Sequence, residues 1–167
     1  MNIPTSKYPR IVIIGGGFAG IALSKKLRNK NVQVVLIDKH NYHTFQPLLY
    51  QVATGGLEAG SIAYPIRKVI QKYKDFYFRL TSVKEIDTKH QKIITEIGDL
   101  HYDYLVIASG SKTNYFGNKE IERNSMSMKT IPQSLNIRSL ILENFEQAVL
   151  TKNQADRNTL INFVLVG

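Results

Sequence analysis

The sequence predicts an α/β fold in which a parallel sheet carries an inserted antiparallel β-meander. Three observations support this fold. A glycine-rich turn joins the apolar run of residues 11–14 to a helix-like stretch over residues 21–30. A second apolar run, residues 32–37, ends at an acidic residue and predicts the neighbouring strand. Three short apolar runs then follow between residues 83 and 107, separated by turn signals, a pattern typical of a meander.

The glycine-rich turn has the spacing Gly-x-Gly-x-x-Gly and consists of Gly15, Gly16, Gly17, Phe18, Ala19 and Gly20. Its first glycine allows a tight turn, its second lets the backbone approach a diphosphate, and its third lets the helix pack closely on the strand. The unpaired N–H groups at the start of the helix then face the anion. Asp38 follows about 20 residues later, where an acid accepts hydrogen bonds from a ribose diol. The arrangement predicts a pyrophosphate cradle.

The stretch after Asp38, residues 39–60, has no clear period and is long for a loop, which favours a functional role. Its segment 45–51 mixes apolar with hydrogen-bonding side chains, as a flat apolar ring with polar edges requires. The alternative is a surface loop whose Leu48 and Leu49 fill the core. From Ser61 onwards apolar residues recur at helical spacing and predict a helix, with Pro65 in its first turn.

The second half of the chain predicts strands, a helix and a final strand. Residues 76–80 predict a third parallel strand, and residues 83–87, 92–97 and 100–107 predict the meander. Its last apolar part, residues 104–108, is expected to enter the parallel sheet. Residues 111–129 are polar without a period, and residues 133–149 predict a long amphipathic helix. Residues 159–166 predict a strand that ends at Gly167 and resembles residues 10–15.

Composition places the chain among ordinary globular proteins. Its 167 residues are 43% hydrophobic and 21% charged, which predicts one domain, or one domain and a fragment.

The net charge is +9. Basic residues group on two predicted helix faces, which are most often merely solvated. The functional alternative is attraction to anionic lipid headgroups, whereas no nucleic-acid-binding motif accompanies the charge. The two groups are Lys25, Lys26, Arg28 and Lys30, and Arg67, Lys68, Lys72 and Lys74.

Several kinds of site are excluded or disfavoured. The chain has no cysteine, so disulfides, thiolate nucleophiles and cysteine-ligated metals are excluded within it. His40 and His43 lack further ligands at a suitable spacing, and we predict no metal site. The glutamates 58, 85 and 96 are isolated, which disfavours a paired-carboxylate hydrolase. The N-terminus is unlike a signal peptide and no apolar run reaches membrane-spanning length, so we expect an intracellular, non-spanning chain.

Four stretches, residues 11–20, 38–55, 102–110 and 162–167, resemble the N-terminal part of the type II NADH dehydrogenases. These are single-subunit NADH:quinone oxidoreductases of the flavoprotein superfamily with two dinucleotide-binding domains. Residues 41–55 carry the most family-specific part of the resemblance. It implies a Rossmann-like, FAD-binding parallel sheet over residues 1–155, incomplete at its C-terminal side. Residues 156–167 would then be the first strand of a truncated NADH-binding domain.

The resemblance also implies roles for individual residues. The glycine turn would bind FAD, with Asp38 on the adenosine ribose, Lys39 beside it and the backbone of Val83 next to the adenine. A tripeptide after the last parallel strand corresponds to the family's Ala-Thr-Gly turn near the flavin, with serine replacing threonine: Ala108, Ser109 and Gly110. The expected neighbours of the flavin ring are Gln46, Pro47, Leu48, Ala53 and Thr54. No residue is assigned a catalytic role.

The activity implied by the resemblance is hydride transfer from NADH to FAD, followed by reduction of a membrane quinone in the respiratory chain. Related disulfide reductases and sulfide:quinone oxidoreductases pass electrons through cysteines near the flavin. Those that lie in the FAD-binding segment would fall inside this chain, which has none. We expect the full-length enzyme to lie peripherally on the inner, cytoplasmic face of the cell membrane. A homo-oligomer is compatible with this expectation. This segment alone is expected to be inactive. The alternatives are a free-standing adenine-dinucleotide module without redox activity and another cysteine-free flavoprotein reductase.

Overall fold

The computed structural model describes residues 1–166, which divide into two compact units. The first comprises Met1–Thr44 and Ala63–Ser111, and the second comprises Phe45–Ile62 and the chain from Lys112 onwards. The strands of the described chain all belong to the first unit: β1 (Arg10–Ile14), β2 (Gln33–Asp38), β3 (Tyr42–Thr44), β4 (Ala63–Pro65), β5 (Phe76–Leu80), β6 (Val83–Asp87), β7 (Lys92–Thr95), β8 (Leu100–His101) and β9 (Tyr104–Ile107). The helices are α1 (Phe18–Leu27), α2 (Leu49–Ala53), α3 (Ile66–Ile70), α4 (Lys119–Asn124), α5 (Ile131–Leu150) and α6 (Gln154–Ile161).

The first unit contains the predicted parallel sheet, with the strand order β5-β2-β1-β9. In register, Ile13 of β1 stands opposite Leu36 on one side and Val106 on the other. The central strand β2 is apolar and buried from Val34 to Ile37 because both sheet faces are covered. The α/β fold class is therefore confirmed.

Each face of this sheet has its own core. On one face, α1 and α3 contribute Ile21 and Ile66 to a cluster with Ile13 and Leu36. On the other, the meander contributes Ile93 and Leu100 to a cluster with Val12, Val35 and Ile37. Burying a side chain of this size stabilises the folded state by about 1.5–3 kcal/mol. Such packing holds β1, β2 and β9 in a fixed position, and with them the loops that follow their carboxyl ends.

The meander is present as β6-β7-β8, all antiparallel, with a bulge between Val83 and Glu85. The predicted strand 100–107 is interrupted between β8 and β9. There Asp103 accepts a hydrogen bond from the Arg10 N–H at 2.6 Å, and the Asp103 N–H donates to the Arg10 carbonyl at 2.9 Å. This contact turns the chain out of the meander, and β9 then pairs with β1 in the parallel sheet, as predicted.

Two expectations for residues 39–73 need correction. The stretch predicted to be irregular contains β3, α2 and two 3₁₀ turns, at Gln46–Leu48 and Ala59–Ile62. The helix predicted from Ser61 is only the five residues of α3, because the chain before it forms β4 and pairs with β3. Proline has no N–H to give to a longer helix, and Pro65 here serves as the N-cap of α3.

The second unit is helical. Its longest helix, α5, begins after Thr130, which forms a reciprocal capping box with Gln133, and Pro132 lies in the first turn. The predicted helix over residues 133–149 is thus confirmed. Ile131 packs on a cluster formed by Leu49, Val52 and Ile62, which joins α2 to α5. The helix α4, capped by Asn118, lies in the stretch for which no element was predicted.

The strand predicted over residues 159–166 is wrong. Asn153 caps α6, which includes Thr159 and Ile161, and residues 162–166 form neither helix nor strand. A helix satisfies its own backbone hydrogen bonds, whereas a strand needs a neighbour, and in residues 1–166 none pairs with this segment. Gly167 lies outside the described residues, so the second glycine motif and the domain boundary at 155/156 stay predictions. Among the described helices none is long and apolar enough to cross a membrane.

Candidate dinucleotide-binding site

The glycine turn between β1 and α1 is closely packed at its two ends. Gly15 has a φ of +112°, and a Cβ at this position would overlap the carbonyl group of Ala108. A Cβ at Gly20 would overlap the carbonyl oxygen of Gly15. Gly15 therefore lets the turn approach the end of β9, and Gly20 lets α1 pack closely on the turn.

The middle of the turn is open. Gly17 is exposed, and a Cβ built on it would have no atom within 4 Å. Gly17 is also the N-cap residue of the ten-residue α1, where no side chain caps the helix and no acidic residue lies in the first turn. Helix N-termini attract anions through their unpaired N–H groups and their dipole. The N-terminus of α1 at Gly17 is therefore open to an anionic ligand.

Asp38, the last residue of β2, lies against this turn. Its Oδ2 accepts a hydrogen bond from the Gly16 N–H at 2.5 Å, and its Oδ1 accepts one from the His40 N–H at 2.7 Å. An ionised carboxylate offers about four lone-pair sites. Two sites therefore remain for the hydroxyls of a ribose, and the ribose contact of Asp38 stays a prediction.

The carbonyl of Gly16 has a partner that the sequence did not reveal. His43 Nδ1 lies 3.0 Å from this oxygen, and the His43 ring packs edge-on against Phe18 with ring centroids 5.0 Å apart. The sequence analysis predicted no metal site at His43, placed it in the family-specific stretch of residues 41–55 and gave it no role of its own. Its acceptor is a backbone carbonyl far away in the chain, which no side-chain pattern could have signalled.

The two remaining segments of the first unit lie near the same carboxyl ends. Ala108 donates its N–H to the Ile14 carbonyl at 2.7 Å, so the tripeptide to Gly110 begins beside the turn. The Thr81 N–H donates to the Asp38 carbonyl at 3.0 Å, two residues before Val83. The Thr81 hydroxyl is buried and has no hydrogen-bond partner among the described residues.

The predicted neighbours of the flavin ring belong to the second unit. Gln46 and Pro47 form a 3₁₀ turn, and the Gln46 amide donates to the Lys129 carbonyl at 3.4 Å. Ala53 is buried in α2, whereas Thr54 is exposed and its hydroxyl donates to the Tyr50 carbonyl at 3.0 Å. Lys39, in the first unit, is exposed beside Asp38. The roles of these residues at a cofactor stay predictions.

Residues 1–166 hold no group of three or more histidine, cysteine, aspartate or glutamate side chains that suits a metal ion. The two neighbouring histidines have other contacts. The His40 ring lies 5.4 Å from the ring of Tyr42, and His43 bonds to Gly16.

The model of the pyridine nucleotide-disulphide oxidoreductase family matches residues 9–157. The chain belongs to the pyridine nucleotide-disulphide oxidoreductase family. It is 41% identical to the type II NADH:quinone oxidoreductase NdhA of Mycobacterium tuberculosis, over 95% of this chain and 34% of that protein. To the Ndh protein of the same organism it is 40% identical, over 98% of this chain and 37% of that protein. The predicted resemblance to type II NADH dehydrogenases is confirmed.

Solved structures of the family share the fold. NDH2 of Plasmodium falciparum in complex with NADH matches with a TM-score of 0.79 and 26% identity, over 91% of this chain and 32% of that one. The sulfide:quinone oxidoreductase of Aquifex aeolicus matches with a TM-score of 0.75 and 31% identity, over 83% of this chain and 32% of that one. The chain spans about a third of the length of these relatives.

Proposed function

We propose that this chain is the FAD-binding portion of an NADH:quinone oxidoreductase. The observation that carries the proposal is the open space before Gly17 at the N-terminus of α1, next to Gly16, which is bound to Asp38. The identity of 40–41% with two type II NADH:quinone oxidoreductases, over nearly the whole chain, supports the same activity. When bound, FAD supplies a ring that accepts a hydride from NADH and passes electrons to a quinone.

The protein's own part is to hold and orient the cofactor. The Gly17 N–H at the start of α1 binds the diphosphate, because the Gly15 and Gly16 N–H groups already donate to Ile37 and Asp38, and Asp38 accepts hydrogen bonds from the ribose hydroxyls. Val83 borders the adenine through its backbone, and Lys39 lies at the ribose end. The residues proposed to border the flavin are Gln46, Ala53, Thr54, Ala108, Ser109 and Gly110.

A second candidate function is adenine-dinucleotide binding without redox chemistry. The turn and Asp38 recognise the ADP moiety that FAD and NAD share, so this part of the site fits either. Absorption spectroscopy of the purified chain, followed by displacement with excess NAD, distinguishes the two. A visible flavin spectrum that NAD does not displace supports the proposal. A colourless chain that takes up NAD in preference to FAD contradicts it.

Sulfide:quinone oxidoreduction is less well supported, although one such enzyme shares 31% identity with the chain. This chain has no cysteine. Hydride transfer from NADH to a flavin requires no thiol, whereas oxidation of a sulfide through protein cysteines does. The cysteine count therefore favours NADH as the electron donor.

We also propose that the whole protein associates peripherally with the inner face of the cell membrane, where its quinone resides. Support comes from the exposed basic residues of α1, α3 and the turns that follow them, none of which has an ion-pair partner within residues 1–166. The two groups meet where the Arg28 guanidinium lies 5.6 Å from the Tyr73 ring centroid. Anionic headgroups attract such clusters by about 1 kcal/mol per charge.

Co-sedimentation with phosphatidylcholine vesicles, with and without phosphatidylserine, tests this association. The charge reversal Lys68→Glu with Lys72→Glu should weaken binding to the anionic vesicles. The matched control is Lys84→Glu with Lys89→Glu, which changes the net charge equally on exposed meander residues. If the two variants lost equal amounts of binding to the anionic vesicles, the result would contradict a specific role for the basic residues of α1 and α3.

A further inference from the structure

Gly16 is held through both of its backbone polar groups. Its N–H donates to Asp38 Oδ2, and its carbonyl oxygen lies 3.0 Å from His43 Nδ1. A carbonyl can only accept, so this contact requires the proton on Nδ1 of His43. One partner terminates β2 and the other lies on β3, so two separate elements fix the same residue.

The contact from His43 fixes the direction of the next N–H group. The peptide between Gly16 and Gly17 is planar and trans, so its carbonyl and its N–H point in opposite directions. With the Gly16 carbonyl directed at His43, the Gly17 N–H is directed away from it. Gly17 is the residue at which the turn is open.

The imidazole is itself held in place. The Phe18 ring meets it edge-on at 87°, and the β3 backbone pairs with β4, where His43 stands opposite Tyr64. The ring is half-buried. The donor is therefore in position before any ligand arrives, which lowers the cost of ordering the turn on binding.

We propose that His43 is a positioning residue for the diphosphate: together with Asp38 it clamps Gly16 so that the Gly17 N–H is aimed at the bound anion. This inference rests on the proposed function, because it takes the glycine turn to bind the diphosphate of FAD. Because His43 contacts the glycine turn, its expected effect is on cofactor affinity.

The test compares variants that differ in the hydrogen-bond donor. His43→Asn places an amide nitrogen at the position of Nδ1 and keeps the donor, whereas His43→Leu has nearly the shape of asparagine and has none. His43→Phe keeps an aromatic ring against Phe18 without the donor. The matched control is His40→Phe, at an exposed ring that does not contact the turn. FAD and ADP are titrated separately by calorimetry, with thermal unfolding recorded for each variant.

We expect His43→Leu and His43→Phe to bind both FAD and ADP about tenfold more weakly, the effect of one lost hydrogen bond. His43→Asn should lie within about threefold of the wild type, and His40→Phe should be unchanged. In NMR spectra, the backbone amide resonance of Gly17 should shift in His43→Leu and His43→Phe. In His43→Asn it should stay near its wild-type position. If His43→Phe does not fold, the comparison of His43→Asn with His43→Leu still tests the proposal.

Two results would overturn the inference alone: unchanged affinity in His43→Leu, or equal losses in His43→Asn and His43→Leu. In either case wild-type protein that binds FAD leaves the proposed function standing. Wild-type protein that binds neither FAD nor ADP overturns the proposed function, and the inference falls with it.

Discussion

At the scale of single residues, the three motif glycines have different tasks. Gly15 and Gly20 allow backbone groups to approach so closely that a Cβ would overlap a carbonyl. Gly17 has no such neighbour, and its lack of a side chain matters only to a ligand. Two of the three glycines therefore serve the fold, and the binding role of the third stays our proposal.

Gly17→Val should abolish nucleotide binding while sparing the fold, because the side chain enters the space assigned to the diphosphate. Gly20→Val should instead destabilise the fold, because its Cβ meets the Gly15 carbonyl. Circular dichroism with thermal unfolding, read beside the flavin content, distinguishes the two. Stoichiometric flavin in Gly17→Val would contradict the assignment of this glycine.

Asp38→Ala should weaken FAD binding by about 1–3 kcal/mol, the range for leaving a buried hydrogen-bonding group unpaired. The same change removes the acceptor of the buried Gly16 N–H, so the melting temperature should also fall. Asp38→Asn keeps one acceptor oxygen and should melt closer to the wild type. Flavin fluorescence titration measures the affinity, and an unchanged value in Asp38→Ala would refute the ribose contact.

The sequence predicted Asp38 and the glycines because their spacing along the chain reflects one local strand-turn-helix unit. It did not predict the contact of His43 with the Gly16 carbonyl, since that contact depends on the β3–β4 pairing, which brings the imidazole to a backbone oxygen. A helix cap lies a few residues from its partner and leaves a spacing pattern, whereas a contact to a distant main-chain group leaves none.

At the scale of elements, the spacing of apolar residues predicted the strands that are buried in the parallel sheet and also the longest helix, most of whose large apolar side chains are exposed. The strands β1, β2 and β5 and the helix α5 appear as predicted. It failed where pairing overrides periodicity, as in β4, which shortens α3. It failed again over residues 159–166, where the first three residues end the helix α6 and residues 162–166 form neither helix nor strand.

The capping box of α5 gives a prediction at this scale. Thr130→Ala removes the side chain that accepts from the Gln133 N–H, and should lower the free energy of unfolding by about 1 kcal/mol. Thr130→Ser retains the hydroxyl and is the control. Urea denaturation followed by circular dichroism measures both, and equal stability of Thr130→Ala and the wild type would show that the cap does not contribute.

At the scale of the whole molecule, large apolar side chains remain exposed in each unit. In the first unit Tyr104 and Ile107 of the edge strand β9 are exposed. In the second unit Val149 and Leu150, at the end of α5, are 77% and 82% exposed. Open strand edges and apolar surfaces favour association with another chain.

We therefore expect the purified chain to self-associate at high concentration. Val149→Lys with Leu150→Lys should reduce the mean mass in light scattering without lowering the melting temperature, because both side chains are exposed. The control is Lys84→Glu with Lys89→Glu, which should leave the mass unchanged. A monodisperse monomer in the wild type would contradict this expectation.

The central claim, that this chain binds FAD at the glycine turn, is tested most directly by titrating FAD into the wild-type chain and into Gly17→Val. We predict saturable binding of one FAD per wild-type chain, with quenching or shift of the flavin fluorescence, and none in a folded Gly17→Val variant. Equal binding by the two proteins, or no FAD binding by a folded wild-type chain, would contradict the account.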